Sequence, residues 1–266
     1  RNKDKPFFLY FATHDIHVPR VPHPRFVGKT SMGPRGDAIV QFDFQVGAIL
    51  DALDAHGLAE DTLVILSSDN GPVLNDGYKD QAVEKLGSHR PAGPYRGHKY
   101  SAYEGGTRVP FLVRWPKRIK GGTQSAALVS LVDLVATSAA LCGQSLAYGD
   151  APDSMDLSAA LLDPGTAGRA SFIAEGARMS VRDGVWKFIP ANARKDGPKR
   201  PDTGRLGDPD AFVKGEQDTG SWNVDQLYNT AEDPREAHNL AGTQPERVAA
   251  MRAMLQKART AGRTRP

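Results

Sequence analysis

Asp69 and Asn70 stand side by side at the end of an apolar run, in the segment Ser67-Ser68-Asp69-Asn70-Gly71-Pro72. A carboxylate beside a carboxamide offers two hard oxygen ligands, the type that suits Ca²⁺ or Mg²⁺. Because Ca²⁺ takes about six to eight oxygens, further ligands must come from elsewhere in the protein, from a substrate or from water. The alternative is a plain turn, since Asp-Asn-Gly-Pro is excellent turn chemistry.

A glycine-rich loop further along the chain carries cationic side chains that could meet an anion. Lys99 lies between Gly97 and the pair Gly105-Gly106. An ammonium near a metal and an anionic substrate could neutralise charge or protonate a leaving oxygen. Arg96 and His98 beside it could donate hydrogen bonds to the same anion, so we list both as candidate substrate-binding residues. The alternative for all three is a solvated loop surface.

Two histidines follow the first apolar run of the chain. His14 and His17 are three residues apart. Such a pair could ligate zinc, act on protons or donate hydrogen bonds to an anion. No third soft ligand lies nearby to support zinc. Loop histidines with packing or solvent roles are the alternative.

The first elements predict a βαβ unit that would position these groups. Residues 7–12 form a continuous apolar run, typical of a strand covered on both faces. Apolar residues at helical spacing then indicate a helix with Asp37 as N-cap and Gly57 as its stop. Residues 63–66 predict a second buried strand. In such sheets ligands bind beyond the carboxyl ends of the strands, where both the histidines and the Asp-Asn pair fall.

The rest of the chain predicts a loop, further core elements and a smaller second layer. Residues 71–107 indicate a long functional loop, 109–115 a strand and 128–141 an apolar helix. Short strands are predicted near 171–174, 179–182, 185–189 and 226–228, with Asp183-Gly184 as a type I′ hairpin signal and a final amphipathic helix around 248–258. We therefore predict an α/β fold: a mostly parallel central sheet flanked by helices over residues 1–166, and a small α+β subdomain with an antiparallel sheet over 167–266.

Composition excludes several classes of protein. The 266 residues carry a net charge of only +3, and no basic stripe has interleaved aromatics, which argues against nucleic-acid binding. No apolar run is long enough for a membrane span. The single cysteine, Cys142, allows neither an internal disulfide nor a cysteine-based metal site. Because the chain enters a buried-looking strand almost at once, we expect it to be the C-terminal part of a longer protein.

Four blocks of the chain resemble consecutive blocks of the formylglycine-dependent type I sulfatases, the arylsulfatase-like enzymes of the alkaline phosphatase superfamily. They are residues 7–20, the helix with Phe42-Asp43-Phe44-Gln45-Val46-Gly47, residues 62–72 and residues 93–116. Later, Val181-Arg182-Asp183-Gly184-Val185-Trp186-Lys187 and residues 227–240 look like the C-terminal subdomain of that family. The resemblance covers nearly the whole chain except residues 190–221.

The resemblance implies specific roles. Asp69 and Asn70 match the second pair of calcium ligands, and His17 matches the histidine that contacts the sulfate or the leaving oxygen. Lys99 matches the lysine between sulfate and metal, and His14 lies in the same motif as a candidate substrate contact. The family's first Asp pair and its Cys/Ser-x-Pro/Ala-x-Arg segment, the source of formylglycine, are absent. We expect both upstream of Arg1, so this chain alone should not turn over.

Three functions follow as hypotheses. The first is hydrolysis of a sulfate ester of a carbohydrate or an aryl alcohol, at a Ca²⁺ site with a formylglycine nucleophile. The second is hydrolysis of phosphate or phosphonate esters on the same scaffold. The third is a non-catalytic remnant that binds sulfated glycans through the basic residues Arg194, Lys195, Lys199 and Arg200. The resemblance implies a periplasmic, secreted or lysosomal location.

Overall fold

The computed structural model describes residues 4–192 and 218–266. In chain order its helices and strands are α1 Gly33–Ala55, β1 Val64–Ser67, α2 Glu104–Thr107, β2 Phe111–Arg114, α3 Leu134–Leu141, α4 Ser158–Leu162, β3 Ser171–Glu175, β4 Met179–Asp183, β5 Trp186–Ile189, β6 Gln226–Asn229 and α5 Pro245–Ala261. Two 3₁₀ turns, Pro24–Phe26 and Leu131–Asp133, complete these elements. Within the described ranges, no helix has the length and apolarity needed to cross a membrane.

Helix α1 begins earlier than the sequence predicted. It starts at Gly33, four residues before the expected N-cap Asp37. The Asp37 carboxylate instead accepts hydrogen bonds from the backbone N–H groups of Gly28 and Thr30, at 2.8 and 2.9 Å. Its side chain therefore closes the loop that leads into the helix. The helix ends at Ala55, and Gly57 has a φ of 67°, as expected for a glycine stop.

The apolar run at residues 7–12 is not a strand in this structure, so the predicted βαβ unit does not form. A strand requires a neighbour that pairs with its backbone, and this run has none among the described residues. Its side chains are correspondingly exposed, with Phe8 at 88% and Tyr10 at 82%. Strands β1 and β2 pair with each other, and their pairing is antiparallel. The ladders that the described residues form are all antiparallel, and no parallel pair of the expected central sheet lies among them.

The second sheet matches the prediction closely. It has four antiparallel strands in the order β3-β4-β5-β6 and lies within residues 171–229. Helix α5 packs on it through a core of Val181, Phe188, Leu227, Met251 and Leu255. The hairpin between β4 and β5 differs in turn type, because Asp183 already pairs with Trp186 and only Gly184 in the loop has a positive φ. Type I′ would need two such residues, so the type I′ prediction was wrong.

A second apolar cluster joins the long loop to this sheet. Ala102 and Tyr103 of the loop pack against Ile189 of β5 and Tyr228 of β6, and all four are fully buried. The Tyr103 hydroxyl donates a hydrogen bond to Gln226 at 2.8 Å. The loop that follows β1 is therefore built into the C-terminal sheet.

Candidate functional site

The Asp69-Asn70 pair lies directly after β1 and is held against the glycine-rich loop. The Gly71 N–H donates a hydrogen bond to the Gly106 carbonyl at 3.0 Å. A Cβ added at Gly71 would lie 1.8 Å from the carbonyl oxygen of Gly105, so only glycine permits this approach. The close backbone packing fixes the pair relative to the loop that carries Lys99.

The oxygens of this pair suit a hard cation. Asp69 Oδ1 accepts a hydrogen bond from its neighbour's backbone N–H at 2.9 Å, and its carboxylate is exposed. The Asn70 Nδ2 donates to the Gly71 carbonyl at 2.8 Å, which occupies the nitrogen and leaves the amide oxygen as the group with ligand capacity. The described residues hold no cluster of three or more His, Cys, Asp or Glu side chains suited to a metal. The chain thus supplies two fitting oxygens and would need further ligands from another source.

Lys99 and His17, separated by 82 positions in the sequence, meet in space. Lys99 Nζ lies 3.1 Å from His17 Nε2. His17 Nδ1 lies 2.7 Å from the carbonyl of Val18, and because a carbonyl only accepts, Nδ1 must carry the proton. The Nε2 lone pair is then free to accept a hydrogen bond from the ammonium. The Lys99 backbone N–H also donates to the Pro72 carbonyl at 2.9 Å, which ties this contact to the segment just after Asn70.

Helix α1 holds the segment that carries both histidines. Gln41 and Gln45, one turn apart, each donate to one carboxylate oxygen of Asp15 at 2.5 Å. The His17 N–H donates to the His14 carbonyl at 3.1 Å, which closes a turn. The His14 side chain is exposed on this turn. The turn therefore presents His17 to Lys99 and leaves His14 open to solvent.

Arg20 is a positioning residue that the sequence did not reveal. Its side chain is buried and donates to the Asp80 carboxylate at 2.6 Å and to the carbonyls of Val73 and Leu74 at 2.9 and 3.3 Å. It also donates to the Ile16 carbonyl at 3.1 Å. It therefore links the histidine turn to the chain just beyond Asn70. A basic residue in a proline-rich loop carries no sequence signal for such a role, because it is the typical composition of a solvated loop.

Arg96 does not face the candidate site. Its side chain is only 1% exposed, and its guanidinium donates to the Asp218 carboxylate at 2.8 and 2.5 Å and to the Glu236 carbonyl at 2.8 Å. It also lies 4.1 Å from the centroid of the Tyr103 ring. Its donors are used inside the protein, so the predicted substrate contact does not fit this geometry. Arg96 anchors one end of the loop to the C-terminal subdomain.

His98 is likewise inside the loop rather than on its surface. His98 as a whole is only 2% exposed. Its backbone packs so closely on Gly106 that a Cβ added to that glycine would lie 2.5 Å from the His98 carbonyl oxygen. Burial lowers the pKa of His98 below its ordinary value, against the opposing effects of the Lys99 backbone and Asp218. The imidazole is therefore held neutral within the packed loop, and the predicted substrate contact does not fit its position.

Glu104 anchors the other end of the loop. Its carboxylate lies 3.0 Å from Lys187 Nζ on β5 and 2.9 Å from the guanidinium of Arg182 on β4. Burial opposes its charge, yet the two cations lower the pKa of Glu104 to about 2. Its backbone N–H donates to the Glu236 carboxylate at 2.6 Å. Glu104 is therefore paired with the C-terminal sheet on one side of Lys99, while Arg96 on the other side is paired with Asp218, which precedes β6.

Comparison with known proteins finds relatives over nearly the whole chain. A family model described as Sulfatase matches residues 1–144. An N-acetylgalactosamine-6-O-sulfatase of Bacteroides thetaiotaomicron is 42% identical over 262 residues, covering 97% of this chain and 48% of that protein. Arylsulfatase A of Homo sapiens is 32% identical over 267 residues, covering 95% and 48%. The chain thus spans about half the length of these curated relatives.

Solved structures show the same fold. One from Bacteroides thetaiotaomicron, described in connection with the metabolism of multiple glycosaminoglycans, matches with a TM-score of 0.86 at 41% identity, covering 97% of this chain and 51% of that one. The PsFucS1 sulfatase from Pseudoalteromonas sp. matches with a TM-score of 0.70 at 24% identity, covering 94% and 48%, and shows the likeness of fold alone. The α/β fold class predicted from the sequence is confirmed as that of the sulfatases. This chain belongs to the sulfatase family.

Proposed function

We propose that this chain supplies part of the active site of a sulfuric ester hydrolase that cleaves the sulfate ester of a carbohydrate or an aryl alcohol. The observation that carries the proposal is the contact between Lys99 Nζ and His17 Nε2 at 3.1 Å. This contact lies where the loop that carries Lys99 meets the segment that carries Asp69 and Asn70. An ammonium and an imidazole suit the anionic sulfuryl group and its alcohol leaving group, and the two hard oxygens suit a cation beside that group.

The two basic side chains have complementary tasks in such a reaction. Cleavage of the ester breaks the bond between sulfur and the alcohol oxygen, which then carries the electron pair and needs a proton. Lys99 is positioned to neutralise charge on the sulfuryl oxygens. His17 Nε2, once protonated, can deliver a proton to the leaving oxygen while its Nδ1 stays fixed on the Val18 carbonyl. We therefore assign Lys99 to charge stabilisation and His17 to the leaving group.

Asp69 and Asn70 would hold Ca²⁺, with Mg²⁺ as the less favoured ion. When bound, the ion would supply positive charge toward the sulfuryl oxygens. The remaining ligands and the formylglycine nucleophile are expected in sequence outside this chain, since the curated relatives are about twice as long. By the same reasoning, the other half of the protein is the partner that completes the site. A periplasmic, secreted or lysosomal location remains part of this proposal.

The alternatives have less support. No observation favours phosphate or phosphonate esters, and the curated relatives named here carry sulfatase names. The glycan-binding alternative depended on Arg194, Lys195, Lys199 and Arg200, which lie outside the described residues. The name of the N-acetylgalactosamine-6-O-sulfatase relative favours a sulfated sugar over an aryl sulfate as the physiological substrate.

Replacing Lys99 tests the proposal in the full-length protein. Lys99→Ala is expected to lower kcat for sulfate release by about 10²- to 10³-fold, because one charge-stabilising donor is lost from the reacting group. The matched control is Lys117→Ala, which removes a lysine from an exposed ion pair with Asp61. Sulfate and phosphate release from matched 4-nitrophenyl esters are measured side by side.

Two outcomes would overturn the proposal. One is wild-type protein that releases phosphate far faster than sulfate. The other is a Lys99→Ala variant as active as Lys117→Ala.

Removal of Ca²⁺ by a chelator is expected to abolish sulfate release and Ca²⁺ addition to restore it. Direct Ca²⁺ binding, weakened by Asp69→Ala, gives a readout that does not depend on turnover.

A further inference from the structure

Tyr100 follows Lys99 directly and has a backbone conformation that does not suit its side chain. Its φ is +75°, in the left-handed region where glycine is favoured. The backbone is held there from both sides: the Tyr100 carbonyl accepts a hydrogen bond from Ala177 at 3.0 Å, and the N–H of Ser101 bonds to the His98 carbonyl at 2.8 Å. A residue other than glycine lowers stability at such a position and persists only where the surrounding structure holds it there.

Packing does not explain the side chain. The residue is 46% exposed, so its ring is not part of the core. The Lys99 ammonium lies 5.3 Å from the centroid of the ring, and the ring therefore stands beside the Lys99–His17 contact. The Tyr100 hydroxyl reaches Asp76 Oδ1 at 3.4 Å. An open aromatic face and a carboxylate thus lie together at the edge of the candidate site.

This pair of groups matches the chemistry of a sugar. The face of an aromatic ring is electron-rich and attracts the C–H-rich face of a pyranose. A carboxylate accepts hydrogen bonds and so suits the hydroxyl groups around the ring edge. An aryl group could stack on Tyr100 but offers Asp76 no hydroxyl. A second sulfate next to Asp76 would be repelled by its charge.

We propose that Tyr100 and Asp76 form the wall that binds the sugar ring carrying the sulfate ester, with Tyr100 stacked on the ring and Asp76 accepting from a ring hydroxyl. This inference rests on the proposed sulfatase function and deepens it. It makes both residues determinants of specificity and leaves the chemistry to Lys99 and His17. It also explains why a strained tyrosine stands where glycine would fit without strain.

Tyr100→Gly in the full-length protein gives two expected changes of opposite kind. The melting temperature should stay level or rise, because glycine relieves the positive φ. KM for a monosulfated N-acetylhexosamine should rise by about 5- to 10-fold, because the stacking face is lost. Tyr100→Phe should keep KM within about 3-fold of wild type. Tyr78→Gly is the matched control, since Tyr78 is an exposed tyrosine in the same long loop and has an ordinary φ.

Asp76→Asn separates the sugar from an aryl group. KM for the sugar sulfate should rise by a clearly larger factor than KM for 4-nitrophenyl sulfate, which offers Asp76 no hydroxyl. A Tyr100→Gly variant with unchanged KM for the sugar sulfate would overturn the inference, as would an Asp76→Asn variant that weakens both substrates equally. Failure of the proposed function looks different, because wild-type protein would then hydrolyse neither sulfate ester.

Discussion

Lys99 and Arg96 are three positions apart in one glycine-rich loop, yet they have opposite surroundings. Lys99 meets His17 in an exposed contact, whereas Arg96 is buried against Asp218. Both are basic side chains of the same glycine-rich loop, so residue type and position in the sequence predict the same role for each. The difference arises from Asp218, which lies 122 positions beyond Arg96 in the sequence and reaches it only in the folded chain.

Arg20 gives a prediction about a single buried ion pair. Arg20→Met is expected to lower the free energy of unfolding by about 3–5 kcal/mol, because it leaves the Asp80 carboxylate without its partner in a mostly buried position. Urea titration of the full-length protein measures the change. Kinetics should also show a fall in kcat, since the same side chain fixes the turn that carries His17.

The matched control for this prediction is Lys117→Met, which removes a cation from an exposed pair and should change stability by less than about 1 kcal/mol. The double variant Arg20→Met with Asp80→Leu removes both charges and should recover part of the loss. If Arg20→Met were as stable as the control, the anchoring role of Arg20 would be wrong.

At the scale of elements, the loop that carries Lys99 is held by buried ion pairs with later parts of the chain on both sides of Lys99. Arg96 with Asp218 holds one end, and Glu104 with Lys187 holds the other. Glu236 lies between them, 3.5 Å from Lys187, and is fully buried. Three carboxylates and two cations therefore share one interior, which makes the junction sensitive to protonation.

Glu236 predicts the direction of the pH dependence of stability. Burial raises its pKa from 4.5 to about 7, despite the opposing charge of Lys187. A raised carboxyl pKa stabilises the fold fully below pH 4.5, and this contribution is lost as the pH rises through about 7. Between pH 4.5 and 8 the urea midpoint of wild type, taken relative to that of Glu236→Gln, should therefore fall with rising pH.

The control for Glu236→Gln is Glu246→Gln, an exposed carboxylate at the start of α5 that should leave the slope unchanged. Glu104 has the opposite sign, since its pKa is lowered to about 2 and its contribution is lost only as the pH falls below 4.5 toward that value. If the urea midpoints of wild type and Glu236→Gln changed with pH in the same way, Glu236 would not be the group whose protonation affects stability.

The elements themselves divide into those that the sequence could predict and those that it could not. The hairpin strands and the helix α5 follow from local patterns of apolar and turn residues, and the structure confirms them. Helix α1 was predicted in type but not in its start, because Asp37 bonds to the preceding loop instead of capping the helix. The prediction of a strand at residues 7–12 was wrong, because a strand needs a neighbouring strand to pair with and its own composition is not sufficient.

At the scale of the whole molecule, one apolar surface is left uncovered. It consists of the run at residues 7–11 and the adjoining groove on α1, which is lined by Leu9, Phe11, Phe44, Ile49 and Leu53 among others. We propose that the other half of the protein, which corresponds to the remainder of the relatives' length, covers it.

The isolated chain of 266 residues should consequently bind an apolar dye such as ANS. Phe8→Ser with Tyr10→Ser should reduce the dye fluorescence, because these two side chains contribute the most exposed part of the surface. Tyr148→Ser is the matched control, since it removes an exposed aromatic residue elsewhere on the chain. Dye binding that is absent, or that is lost equally in the control, would contradict this account.

The sequence by itself determined the family and the groups that suit a metal and an anion: Asp69, Asn70, His17 and Lys99. It did so because ligand chemistry depends on side-chain type. The order of short motifs along the chain can also be recognised without knowledge of the fold. Only the tertiary structure decided which basic residues face the site. The packing of distant segments placed Arg96 and His98 inside, brought Lys99 to His17 across 82 positions and held Tyr100 in a strained conformation beside them. Such contacts depend on how distant segments of the chain pack against each other, and local sequence patterns do not predict that packing.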